Sequence, residues 1–193
     1  MMIKRLKTLT LIFGTFLSAP LFAQNLQCGN DIKFFMPGFF NKSEQTVNVS
    51  DSVSVDIKRY LSKRNVDGYI IAANVSCQTL TGQKYTGSGE EWLKFFESTL
   101  SGLSKNQYKD IAFTLVGENE AVIQNNQRSK EYILVGNRGG DKQILKNLAL
   151  LSSDMKSIMT ITISGNEAIS EKIDNLYKNL TNYVKENSFG DDS

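Results

Sequence analysis

The chain has 193 residues, with 22 lysine and arginine side chains against 20 aspartate and glutamate, two cysteines and no histidine. The missing histidine excludes Ser-His-Asp and Cys-His catalysis, imidazole acid–base chemistry and histidine-ligated zinc. A chain so close to neutral has no global electrostatic pull toward nucleic acid, so none is expected as a partner.

Residues 1–23 read as a secretory signal peptide. Lys4, Arg5 and Lys7 form a basic start, residues 9–17 an apolar segment, and Ala23 a small residue at the cut before Gln24. The apolar segment is short for a membrane span, so a cleaved signal is the reading preferred over its alternative, an uncleaved anchor. Gln27, ahead of Cys28, is too large for a lipoprotein cut. The expected product is therefore periplasmic, with no lipid anchor and no stable membrane insertion. Cleavage removes three of the 22 basic side chains and none of the 20 acidic ones, leaving 170 residues with 19 basic against 20 acidic. That length suits one domain, 24–187, followed by a polar tail, 188–193, expected to be disordered.

Residues 24–30 read as a flexible lead pinned by Cys28. Cys28 and Cys77 are 49 positions apart, far from the CxxC spacing of reactive thiol pairs. In an exported chain an even pair reads as a structural disulfide, which also removes thiolate catalysis and cysteine-ligated zinc. A first strand is expected over 31–36, stopped by Pro37-Gly38. Phe34, Phe35, Phe39 and Phe40 crowd this region and read either as core at a sheet edge or as an aromatic binding lip. Residues 44–49 are a weak second strand. In 52–60, Val53, Val55 and Ile57 alternate with Ser54, Asp56 and Lys58. Lys58, Arg59, Lys63 and Arg64 form a basic cluster, either a solvated strand end or an anion site. Residues 69–75 are the most apolar early strand, with Cys77 at its end.

A glycine-rich loop at 81–89 matches neither a P-loop nor GxGxxG. Ser88 and Glu91 form a capping box that opens a helix over 88–104, with Trp92, Phe96, Leu100 and Leu103 as its apolar stripe. Residues 110–165 read as a meander. Its strands are expected around 111–115, 121–123, 132–135, 144–151 and 159–163, with turns at 117–119, 125–126, 136–141 and 152–154. Residues 144–151 are apolar on both faces, whereas Thr160 and Thr162 give their strand one wetter face. A closing helix over 166–186 carries Ile169, Ile173, Leu176, Tyr177, Leu180, Tyr183 and Val184 in one stripe, with Asn166 as N-cap. The fold class is α+β: a mainly antiparallel sheet of about six to eight strands with both helices packed on it.

The remaining chemistry is sparse. Glu90-Glu91 and Glu118-x-Glu120 are the acidic pairs, the first tied to the helix cap and the second at a turn. No DxDxDG loop exists for calcium, and no cofactor is called for. Ser153 to Lys156 fits SxxK but falls at a turn rather than a helix start.

The element order carries a resemblance. Asp31-Ile32-Lys33-Phe34-Phe35-Met36-Pro37 resembles the opening, proline-ended strand of the PsbP/Mog-type fold. Lys156 to Ile163, followed by the helix from Asn166, resembles that fold's ending. The resemblance covers most of the chain after the signal peptide and includes exported bacterial proteins of the DcrB type. It implies a binding or accessory module, since members of that fold serve mainly as such and related folds occur among type VI secretion immunity proteins.

The expected function is therefore a non-enzymatic protein-binding module, with a toxin neutralised as by an immunity protein as the partner. The candidate binding residues are Gly82, Lys84, Tyr85 and Gly87 in the glycine-rich loop, and Asn137, Arg138 and Asp141 in the later turn. Two other readings stand beside it: an envelope accessory protein that binds a small apolar ligand through the four phenylalanines, and a carboxylate-dependent hydrolase.

Overall fold

A computed structural model describes residues 26–116 and 128–188. The signal-peptide reading, the short strand at 121–123 and the Glu118/Glu120 pair lie outside the described residues.

Two three-residue strands open the described chain. Strand β1 (Leu26–Cys28) pairs antiparallel with β2 (Ile32–Phe34) around a turn in which Gly29 has φ 62°. The expected flexible lead is thus a strand from Leu26 onward. The reason is local: Cys28, Ile32 and Phe34 are all fully buried, so the hairpin is an apolar plug rather than a tether. The main sheet contains β3 (Asn41–Asn48), β4 (Ser54–Val66), β5 (Tyr69–Thr81), β6 (Lys109–Leu115), β7 (Ser129–Arg138), β8 (Asp141–Leu151) and β9 (Ser157–Asn166). Their order is β3-β4-β5-β9-β8-β7-β6, and every pairing is antiparallel. The α+β class and the seven-stranded antiparallel sheet are as the alternation predicts. The strands overrun their apolar cores by several residues because ladder bonds continue through polar positions such as Lys63, Arg64 and Asn65.

The two helices lie on opposite faces of this sheet. Helix α2 (Ser170–Asn187) packs Ile173, Leu176, Leu180 and Val184 with Ile71, Val75, Leu148, Leu150, Met159, Ile161 and Ile163, and the β1–β2 hairpin completes that core. Helix α1 (Gly89–Lys105) joins Trp92, Phe95, Phe96, Leu100 and Leu103 to Tyr132, Leu134, Leu145, Ala149, Leu151 and Ile158. Strand β8 is apolar on both faces because it faces both cores, with even positions on one side and odd on the other.

The helix starts differ in detail from the expected caps. Ser88 Oγ accepts from the Glu91 amide at 3.3 Å, which is half of a capping box. The Glu91 carboxylate does not return to the Ser88 amide. Its Oε2 accepts instead from the amides of Thr86 and Gly87, both at 2.8 Å, and so braces the preceding loop. Asn166 accepts from the Ala168 amide at 2.8 Å and caps a single 3-10 turn (Glu167–Ile169), from which α2 continues at Ser170. Ser188 is not part of a free tail. It is buried, and its Oγ accepts from the Lys33 amide at 2.9 Å, fastening the end of α2 to the hairpin.

A disulfide joins Cys28 to Cys77, tying the hairpin to β5 inside the sheet. Both sulfurs are buried. Among the described residues no helix is long and apolar enough to cross a membrane.

Candidate interaction surfaces

The glycine-rich loop leaves β5 and runs to α1. Gly82 has φ 90°, and a Cβ there would sit 1.9 Å from the Ser52 carbonyl oxygen. Only glycine allows this loop to lie against the β3–β4 turn. Gly87, at φ 67°, faces the Met155 methyl group. Tyr85 donates its amide to the Met155 carbonyl at 2.7 Å and rests on the α1 aromatic cluster. Burial pushes its hydroxyl up to about 12, with the charge of Glu91 adding. Lys84 is exposed and adds a favourable charge near Asp154.

Asp154 organises the neighbouring β8–β9 turn. Its carboxylate accepts from Ser152 Oγ at 2.6 Å, the Lys156 amide at 3.0 Å and Asn30 Nδ2 at 3.0 Å. The Ser152 hydrogen bond is the main reason its carboxyl lies below the ordinary 3.8, with Lys156 and Lys84 reinforcing it against partial burial. A depressed carboxyl stabilises the fold above the ordinary value and loses that contribution as pH falls through the folded value. Asp154→Ala is expected to lower stability by about 1 kcal/mol at neutral pH, as loss of exposed charge-assisted hydrogen bonds does. The difference from wild type should vanish in strong acid. Urea unfolding at the two pH values checks this, and an acid-insensitive difference would contradict it. Ser153 and Lys156 lie in the same turn. The Ser153 amide donates to Asp31 at 2.7 Å, so the SxxK match coincides with a structural turn.

The second candidate group sits at the other end of the sheet. Arg138 and Asp141 close the β7–β8 ladder around Gly139 and Gly140, whose φ values of 62° and 92° fit a two-residue hairpin turn. Asn137 Nδ2 donates to Asp110 at 3.0 Å, and the Arg138 guanidinium lies 5.4 Å from the centre of the Tyr108 ring. Register separates the two groups. Thr79 pairs with Ser157 beside the glycine-rich loop, while Gln143 pairs with Asn166 beside the hairpin turn. The length of β8 lies between them, roughly 35 Å at strand rise. The seven residues therefore form two local turn structures and no common site.

The four phenylalanines divide. Phe34 meets Tyr60 edge-on at 5.3 Å, Phe40 meets the same ring at 5.8 Å, and Phe35 meets Tyr183 at 5.0 Å. Phe39 alone is out in solvent, 88% exposed. A recess of about 230 Å³ lies elsewhere, beneath α2, with Tyr132, Ile133, Tyr177 and Thr181 among its walls. Glu131 and Asp174 both line it, and each is taken by a lysine: Lys185 to Glu131 at 2.8 Å and Lys146 to Asp174 at 2.5 Å. Tyr177 donates to the Asn147 carbonyl at 3.1 Å, and burial drives its hydroxyl well above the ordinary range. Of the other acids, Glu90 is held by Lys94 at 2.7 Å. No group of three or more metal-ligating side chains occurs among the described residues.

The surface not singled out from sequence is half of the sheet itself. The α1 cluster draws on β6, β7, β8 and one residue of β9, and on nothing from β3, β4 or β5. Register places on the uncovered part of that face Ser43, Gln45 and Val47 of β3, and Val55, Ile57, Arg59, Leu61 and Lys63 of β4. It also places there Ala72, Asn74, Ser76 and Gln78 of β5 and Thr160 and Thr162 of β9. None is acidic. Arg59 and Lys63 are exposed and have no ion pair among the described residues. The basic cluster of β4 is split by strand alternation, with Lys58 and Arg64 on the opposite face. The signal for this face was the wetter side of β9 at Thr160 and Thr162, matched by Asn74, Ser76 and Gln78 on β5.

No protein-family model, curated protein or solved structure matches this chain.

Proposed function

We propose that this chain is an exported, non-enzymatic protein-binding module whose partner docks on the uncovered half of the sheet. The observation that carries the reading is the face itself: Arg59 and Lys63, both without an ion pair among the described residues, stand among Ile57, Leu61, Asn74 and Gln78, and none of the residues that register places on this face is acidic. A mixed apolar and basic face that is open rather than enclosed suits an acidic protein surface, because small-ligand sites enclose most of their ligand. The rigid sheet beneath it needs little ordering on binding, which favours an inhibitor or adaptor. The buried Cys28–Cys77 crosslink supports an oxidising compartment, in line with residues 1–23 as an export signal. A toxin acting in the periplasm, neutralised as by an immunity protein, is the partner class that the PsbP/Mog-type resemblance favours.

Affinity capture from periplasmic extract with wild type and with Arg59→Glu/Lys63→Glu tests the face. Both side chains are exposed, so the variant should keep its fold and circular dichroism. The expected result is a protein retained by wild type and weakened at least about tenfold by the variant, as facing like charges would do. Identical retention by both proteins would remove this face from consideration. For the immunity reading, cells lacking the protein should become sensitive to attack by sister cells. Full resistance would end it.

A further inference from the structure

Strand β3 is the odd element of this sheet. All eight of its residues are exposed, on both faces, and among the described residues it pairs with β4 alone. A strand that buries no side chain gains little beyond its ladder bonds, against the cost of ordering its backbone. Native edges of this length are usually guarded by like charges, proline or a bulge. Here Asn41–Asn48 pairs with β4 without a register break, contains no proline and carries one lysine and one glutamate that neutralise each other, Lys42 to Glu44 at 2.6 Å.

We propose that β3 is a homodimer edge, on which β3 of a second copy pairs antiparallel about a two-fold axis through Ser43. The register follows from backbone and charge. In an antiparallel ladder, residues alternately aim both backbone groups toward one neighbour and then away from it. The outward set must therefore meet the outward set of the other copy, which puts the axis on a residue rather than between two. An axis at Lys42 sets lysine against lysine, and one at Glu44 sets glutamate against glutamate. An axis at Gln45 brings the two glutamates to the diagonal position and leaves Lys42 opposite Asn48. The axis at Ser43 places each Lys42 opposite the other copy's Glu44, so four charges alternate in sign around a square. Continued outward, the same register sets Phe39, 88% exposed, opposite Val47, 44% exposed. Such an axis runs perpendicular to the sheet. The two uncovered faces then lie side by side, so the dimer and the partner face proposed above do not compete.

Cysteine crosslinking reads this register directly. Ser43→Cys places two thiols opposite one another at a Cα separation that a disulfide spans, whereas Gln45→Cys lies opposite Asn41. Under mild oxidation at high micromolar concentration, without reductant, Ser43→Cys should form covalent dimer at least about tenfold faster than Gln45→Cys. Adding Lys42→Glu should slow that crosslink, and Lys42→Glu with Glu44→Lys should restore it. These side chains are exposed, so folding is not at stake. Equal rates for the two cysteines, no covalent dimer, or a crosslink indifferent to Lys42→Glu would each overturn the proposal.

Discussion

Removing the disulfide by Cys28→Ala/Cys77→Ala is expected to lower the unfolding free energy by about 4 kcal/mol, the chain-entropy value for a loop of this length. The crosslink closes 49 residues of chain, and it does so between elements of unequal standing. Strand β5 is held on both sides, by β4 and β9. The β1–β2 hairpin has three residues in each strand and belongs to no larger sheet. A two-stranded hairpin of that size is marginal in water on its own. Denaturant titration of the oxidised protein and the double variant measures the loss. Amide exchange should show that Leu26 to Phe34 loses protection before the main sheet does. Because both sulfurs are buried, reductant alone should act slowly, and faster once denaturant opens the hairpin. A change below about 1 kcal/mol would mean that packing of Ile32 and Phe34 already holds the loop closed.

Phe34→Ala is expected to cost about 3–5 kcal/mol, and Phe39→Ala almost nothing. Phe34 is fully buried against Tyr60, in the core that includes Ile32, Met36 and Cys77. Truncation removes a buried ring and leaves a cavity in the core shared by the hairpin, helix α2 and the main sheet. Phe39 is solvent-facing in the monomer, so its truncation touches no packing. Parallel urea titrations decide the matter. A loss of more than about 1 kcal/mol for Phe39→Ala in dilute protein would place that ring in the core after all. The contrast also separates the aromatic-lip reading from the core reading, one ring at a time.

Much of the fold was legible in advance, for a physical reason. Period-two alternation in β4, β5 and β9 and period-3.6 stripes in α1 and α2 are local consequences of burying one face, so they are written into neighbouring residues. The apolar run of β8 likewise reported a strand covered on both sides. The hairpin at Gly139-Gly140 was legible because only residues tolerant of positive φ make that turn. The caps were half legible. Ser88 and Asn166 stand where expected, but Glu91 turned to the amides of Thr86 and Gly87, a choice made by the path of the loop rather than by spacing.

The candidate surfaces were less legible, because they depend on who lies beside whom. Loop composition singled out Gly82, Lys84, Tyr85, Gly87, Asn137, Arg138 and Asp141, but composition cannot say at which end of a sheet a turn falls. The order β3-β4-β5-β9-β8-β7-β6 places the two turns at opposite ends. Arg59 and Lys63 looked like part of one basic cluster with Lys58 and Arg64 until the pleat divided them between faces. Strand alternation, helix stripes and the cysteine pair were determined by the sequence alone, since each is a short-range or covalent constraint. Which half of the sheet α1 covers, and hence which face and which edge stay open, was decided only in the tertiary structure. The α1 aromatics cluster with Phe113 and Tyr132 rather than with the amides of β5, because aromatic burial outweighs what a polar half-sheet offers a helix.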